Sequence, residues 1–164
     1  DPELRENFIE RLFVYHRWKR CLCEKQHARG LIDFHTRHKL LIMAHSPKIL
    51  RELGALTASI SKKNRENVFT YYGQKLMAAL QLIATVKKNT NVLYHIAGYF
   101  KDHLEKEEKQ ELVGIIQQYH RQLIPLIVPV TMVNHYVAKY DIAYLRIQYY
   151  LRPHPLELML RNHV

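Results

Sequence analysis

Three histidines, His35, His38 and His45, sit in the run Asp33-Phe34-His35-Thr36-Arg37-His38-Lys39-Leu40-Leu41-Ile42-Met43-Ala44-His45-Ser46-Pro47. At about 100° per residue they share, with Ile42, a helical stripe about 80° wide. Imidazoles on one face can ligate a metal, carry protons or line a recognition pocket. His95 and His135 are candidates to join them from neighbouring helices. The spacing is not the His-Glu-x-x-His of zinc peptidases, and no metal ligand set is assigned.

A second group pairs cations with rings. Asn91, His95 and Gly98 share a face of an expected fifth helix, with Tyr99 and Lys101 close by. A glycine in mid-helix costs about 1 kcal/mol relative to Ala, so close packing or ligand approach is the expected reason for Gly98. His135, Tyr136, Lys139 and Tyr140 follow on a seventh helix, and the tail adds Gln148, His154, Arg161, Asn162 and His163. Rings beside Lys and Arg are what single-stranded RNA uses, with bases stacking on the rings and cations holding phosphates.

The charge distribution agrees with such a partner. The 164 residues carry a formal net charge of +10, and residues 11–65 hold thirteen Lys and Arg against Glu24, Asp33 and Glu52, so that segment accounts for all of it. A charge concentrated in one third of a chain is the footprint of a surface facing a polyanion. Expected phosphate contacts are Arg37, Lys39, Lys62, Lys63, Arg65, Lys87, Lys88 and Lys101. The expected pocket is made of His35, His38, His45, Asn91, His95, His135, Tyr136 and Tyr140. No catalytic residue is assigned: there is no Gly-rich phosphate loop, nucleophile elbow or Cys/His nucleophile pair.

The elements that must position these groups are helical. A hydrophobic content of 48% and a charged content of 24% fit one folded domain of this length. Leu4, Phe8, Leu12, Tyr15, Trp18 and Leu22 recur at helical spacing and predict a first helix from Pro2 to Gln26. The histidine run makes the second helix. Ser46-Pro47 caps a third, Ser61 to Asn64 is a loop, and Val68 to Ile83 mark a fourth. Lys87 to Thr90 read as a loop in which Asn89 or Thr90 caps the fifth helix. Glu105, Glu107 and Glu108 favour the start of a sixth. Pro125 and Pro129 frame a seventh ending at Tyr140, Asp141 caps an eighth reaching Tyr149, and Pro155 opens a last one ending near Arg161. The expectation is an all-α, single-domain bundle of eight or nine helices spanning residues 1–164.

The longest apolar run, Leu123 to Val133, is broken by Pro125 and Pro129 and falls short of the roughly 20 residues of a bilayer span. No membrane partner is expected, and with no secretory signal pattern a cytoplasmic location is expected. Cys21 and Cys23, two apart on a helix, point in nearly opposite directions and are read as small apolar residues. A chain that opens on Asp1 rather than Met is read as a fragment of a longer protein.

Several blocks carry a resemblance: Phe34-His35-Thr36-Arg37-His38-Lys39, Ala44-His45-Ser46-Pro47, Asn91-Val92-Leu93-Tyr94-His95, Gly98-Tyr99-Phe100-Lys101, Pro125-Leu126-Ile127-Val128-Pro129, His135-Tyr136 and the ending from Pro153 to Val164. In order, over nearly the whole chain, they resemble the YbgA-like family of uncharacterised bacterial domains. The likeness is closest to the version fused C-terminally to a thiouracil desulfidase (TudS-type) domain acting on 4-thiouridine in transfer RNA. The resemblance implies an RNA-binding, non-catalytic accessory domain that presents thiolated tRNA to a desulfidase domain in cis. The iron-sulfur cluster would belong to that partner, so no cofactor is expected in this chain, whose two cysteines cannot hold it. The alternatives are a His-based metal-binding or enzymatic domain, and a protein-interaction module docking on a desulfidase or repair enzyme.

Overall fold

The computed structural model describes residues 2–24 and 27–162. Gln26, the expected end of the first helix, and His163 of the tail lie outside the described residues. Among these residues there are helices and turns and no strand: α1 (Pro2–Cys23), α2 (Ala28–His45), α3 (Pro47–Ala58), α4 (Arg65–Leu80), α5 (Val86–Gly98), α6 (Lys106–His120), α7 (Ile127–Tyr140), α8 (Ala143–Arg146) and α9 (Pro155–Asn162). The all-α expectation holds.

Local chemistry sets most of the boundaries. The Ser46 side chain accepts from the Ile49 amide, with Pro47 at the first helical position, so the chain turns sharply between α2 and α3. Glu105 and Glu108 form a reciprocal capping box at the start of α6. Three expectations are corrected. Lys87 to Thr90 are not a loop, because Thr85 caps α5 and that polar stretch becomes its first turns. Gly98 is the last residue of α5 rather than a mid-helix residue, and a Cβ there would meet nothing within 4 Å. Asp141 ends α7 in the left-handed region at φ 55° instead of opening a long helix, and α8 is only four residues long.

The helices enclose two apolar cores with α2 between them. In the first, Leu31, Phe34, Leu41 and Ile42 of α2 meet Val14 and Trp18 of α1, Leu53 of α3, and Phe69, Tyr72 and Leu76 of α4. Trp18 stacks on Phe69 and Tyr72 and meets Phe34 edge-on. Gly73 makes this possible, since a Cβ there would lie 2.9 Å from Trp18 Nε1. In the second, Leu40 and Ala44, on the opposite flank of α2, meet Val92, Leu93 and Ile96 of α5 together with residues of α6, α7 and α8. Each large apolar side chain so buried contributes roughly 1.5–3 kcal/mol.

The two halves are also joined by polar groups. Buried Gln148 accepts from the Leu40 amide (3.3 Å) and donates to Thr36 O (2.7 Å), and the Tyr149 amide donates to Arg37 O (3.1 Å). The segment after α8 is thereby held against the middle of α2, beside the histidine stripe.

Candidate functional site

Each histidine of the stripe is buried on a partner of its own. His35 Nδ1 lies 2.9 Å from the Tyr72 hydroxyl, and burial, helped by the charge of Lys39, pushes its pKa down to about 4. His38 is held neutral in one tautomer: its Nδ1–H donates to Phe34 O (2.7 Å), which leaves Nε2 to accept from Arg17 Nε (3.0 Å). Burial and the Arg17 charge push it to about 3. His45 is the opposite case. Burial opposes its charge, yet Nε2 meets Glu10 Oε2 at 2.8 Å and Nδ1 donates to Leu82 O at 2.6 Å, so its pKa rises while that of Glu10 falls below the carboxylate range. The pair is an internal imidazolium–carboxylate bridge.

That bridge belongs to a charged seam between α1 and α9. Arg161 lies 3.9 Å from both Glu6 and Glu10 and 3.5 Å from Glu157, and Arg17 lies 3.7 Å from Glu157. Glu157 is 1% exposed, and neither carboxylate oxygen has a hydrogen-bond partner; burial raises its pKa despite Arg17. Of the five residues Glu6, Glu10, Arg17, Glu157 and Arg161, only Arg161 was flagged by the sequence reading. The available signal was Glu10 and Arg17 on the same face of α1 as Val14 and Trp18, where an unpaired charge would be costly.

At one end of the seam a cleft of about 330 Å³ opens between the C-terminal part of α1, the N-terminal half of α2 and Tyr149; Arg17, Arg20, His27, Arg37 and His38 line it. The Arg17 guanidinium stacks 4.1 Å over the Tyr149 ring, and its Nη2 has no hydrogen-bond partner. His27 fixes the entrance, capping α2 by accepting the Gly30 amide at Nδ1 (2.9 Å). Arg37 is steadied by Asp33 (2.9 Å) and Arg20 is more loosely paired with Glu24 (3.7 Å), both at solvent-exposed positions. Such a rim presents guanidinium forks to an anion, with aromatic surface beside them.

Of the expected contacts, Arg37 and His38 meet in this cleft. His35 and His45 do not; they are engaged inside the core. Lys39 is half-buried on α2. Lys62 and Lys63 are exposed in the turn before α4, and Arg65 begins that helix. Lys87 and Lys88 start α5 at the other end of α2, where Leu82 meets His45, and Lys88 donates to Ile83 O (2.9 Å). Lys101 is exposed beyond α5. Asn91 and His95 are exposed on α5, where His95 meets Tyr99 edge-on and Tyr99 stacks on Tyr144. His135 is exposed on α7, Tyr136 is buried in the second core, and Tyr140 donates to Glu108 (2.5 Å). Arg20, His27 and Tyr149 were not selected by sequence reasoning, although Arg20 sits within the basic segment, one turn from Arg17.

Among the described residues no three His, Cys, Asp or Glu side chains are placed to hold a metal ion. No helix among them is long and apolar enough to cross a membrane. Cys21 and Cys23 are free thiols, fewer than the four that an iron-sulfur cluster takes.

The model of the family described as "Protein of unknown function (DUF1722)" matches residues 39–155. The chain is 36% identical over 159 residues to "Uncharacterized protein YbgA" of Escherichia coli (strain K12), across 96% of this chain and 94% of that protein. No solved structure matches. The YbgA alignment takes in most of α1 as well as the family span, so both walls of the arginine cleft fall within the shared region, and the chain belongs to the DUF1722, or YbgA-like, family.

Proposed function

We propose that this domain binds RNA, transfer RNA in particular, and serves as a non-catalytic accessory to a desulfidase domain. The observation that carries this reading is the arginine cleft beside Tyr149, in the segment that holds the whole net charge of +10. Guanidiniums held by Asp33 and Glu24 are preorganised to exchange a carboxylate for a phosphate, and Tyr149 offers ring surface next to them. The exposed Lys62, Lys63 and Arg65 would extend the phosphate track. Presentation of thiolated tRNA to a cis-acting desulfidase rests on the resemblance alone, and a cytoplasmic location accords with it.

Electrophoretic titration with bulk tRNA at two salt concentrations tests the reading. Each phosphate neutralised on a single strand contributes about −0.7 to the log–log slope, so the Arg20→Ala, Arg37→Ala double variant should bind more weakly and with a shallower slope. Absence of binding at low salt, or a double variant indistinguishable from the parent, would overturn it.

A second reading, protein docking, is favoured by one observation. Leu4, Phe8, Leu12 and Tyr15 form a stripe on α1, each about half exposed, and contiguous exposed apolar surface marks interaction sites. It predicts a complex with the desulfidase domain that survives nuclease treatment.

A further inference from the structure

The stripe of Leu4, Phe8, Leu12 and Tyr15 does not end at the edge of α1. Helix α9 lies antiparallel beside it: Arg5 Nη2 donates to Leu160 O (2.8 Å) near one end, and Phe13 stacks on His154 (ring centroids 5.8 Å apart) near the other. Glu157 and Arg161 turn to the charged seam, and Leu158 faces Ile127 and Val130 of α7 across a cavity of about 340 Å³. That leaves Leu156, Met159 and Leu160 on the outer side of α9, 50%, 55% and 42% exposed. Ile9 shows that the two surfaces join. It lies roughly 140° or more round α1 from Val14 and Trp18, yet it is only 8% exposed, so α9 covers it on the outer flank.

These large apolar side chains, each about half exposed, present on the order of 700 Å² together at roughly 100 Å² apiece. The largest apolar patch of a typical monomer is about 300–600 Å², and a stable pair of proteins buries about 800 Å² on each partner. The patch therefore has the size of one side of an interface. Its spacing chooses the occupant. Leu4, Phe8, Leu12 and Tyr15 advance by four, four and three residues, so the stripe reads nearly alike from either end. A two-fold axis crossing α1 near residue 10 sets Phe8 on the partner's Leu12 and Leu4 on the partner's Tyr15, and it brings the two α9 helices together on one flank. Two helices layered on two bury an apolar face as a four-helix bundle does.

We propose that the outer face of α1 and α9 is a self-association surface, at which two copies of this chain pair antiparallel. The face invoked by the docking reading thereby receives a definite occupant, and the inference does not rest on RNA binding. Exposed Arg5, His16 and Lys19 border the stripe, and the second copy brings the same groups, so apolar contact works against like charge. Each arginine cleft sits about ten residues along α1 from the axis, so the dimer presents two clefts on the order of 30 Å apart.

Sedimentation equilibrium of the whole chain, with no RNA present, tests the pairing. At about 100 μM the chain should be mostly dimeric and at about 1 μM mostly monomeric. Salt screens the bordering cations, so the dimer should tighten as ionic strength rises from about 0.05 to about 0.5 M, opposite in sign to phosphate contacts. Leu12→Glu and Met159→Glu should each weaken dimerisation at least about tenfold with an unchanged circular dichroism spectrum. Leu123→Glu, at a 68% exposed position between α6 and α7, should leave it unchanged. If Leu12→Glu does not fold, Met159→Glu decides. The proposal is overturned by a chain that stays monomeric at about 500 μM, which leaves the face to a different protein, by an association that weakens with salt, or by a dimer that both variants leave intact.

Discussion

The half of the molecule built by α1 to α4 and the half built by α5 to α8 use the same residue types in opposite ways. In the first, His35, His38 and His45 are at most 4% exposed, and each is tied to a named partner. In the second, His95, His103, His120 and His135 are exposed at the surface of an apolar core. The cause is the position of α2. Packed on both sides, α2 keeps only a narrow solvent edge, at Arg29, Ile32 and Asp33, and the histidine stripe lies off it, so its imidazoles had to find Tyr72, Arg17 and Glu10 across the interior. Histidines at similar helical spacings therefore become internal fasteners in one half and surface rings in the other.

The sharpest way to break this contrast is to remove one internal partner. Glu10→Ala leaves His45 buried without its carboxylate and should destabilise the fold by about 3–5 kcal/mol in urea unfolding. A loss under 1 kcal/mol would mean the bridge contributes nothing beyond its own desolvation.

Acid should come next. Unfolded His35 and His38 protonate near 6.5, whereas the folded residues stay neutral down to about 4 and about 3. The unfolded state thus binds more protons as the pH drops, so stability complete above 6.5 is lost as the pH falls toward those values. For His38 alone the loss between pH 6.5 and 5 should be on the order of 2 kcal/mol. His45 has the reverse sign: the stability from its raised pKa is complete below 6.5 and lost as the pH rises through its folded value. A His38→Gln variant should unfold with a flatter acid limb, and an unchanged limb would assign the loss to other groups.

Two glycines sharpen the comparison further. Gly73→Ala pushes a methyl against Trp18 in the first core and should cost about 1–3 kcal/mol. Gly98→Ala in the second half meets open space and should be neutral or stabilise by up to about 1 kcal/mol. Equal thermal shifts for the two would remove the packing argument. The smallest effect is expected for His135→Ala, within about 0.5 kcal/mol of the parent.

What could be read from the chain was whatever local chemistry decides. Ser46-Pro47, the acidic opening of α6 and the terminal helix at Pro155 are signals carried by adjacent residues, and each names its element correctly. Lys87 to Thr90 misled because a polar run was weighed above Thr85, whose hydroxyl accepts the Lys88 amide two residues into the helix. Asp141 misled because an Asp can cap a helix start or take the left-handed turn at a helix end, and only tertiary context chooses. At the cleft, Arg37 and His38 were visible because their run is compact. Tyr149 was not, since it reaches Arg17 across 132 positions of sequence, and no periodicity encodes such a meeting. The same holds for Glu157 and Arg161 against α1.

The Gln148 side chain bonds both Thr36 O and Leu40 N, the acceptor and the donor of one rung of α2. That rung is therefore gripped by a residue more than a hundred positions downstream. While the chain emerges from the ribosome, α2 can close this turn only on itself, and Gln148 engages it once the segment beyond α8 has been made and docked. The order of synthesis thus sets when the helix that both cores share is pinned from its second side. Amide exchange at Leu40 would time that docking.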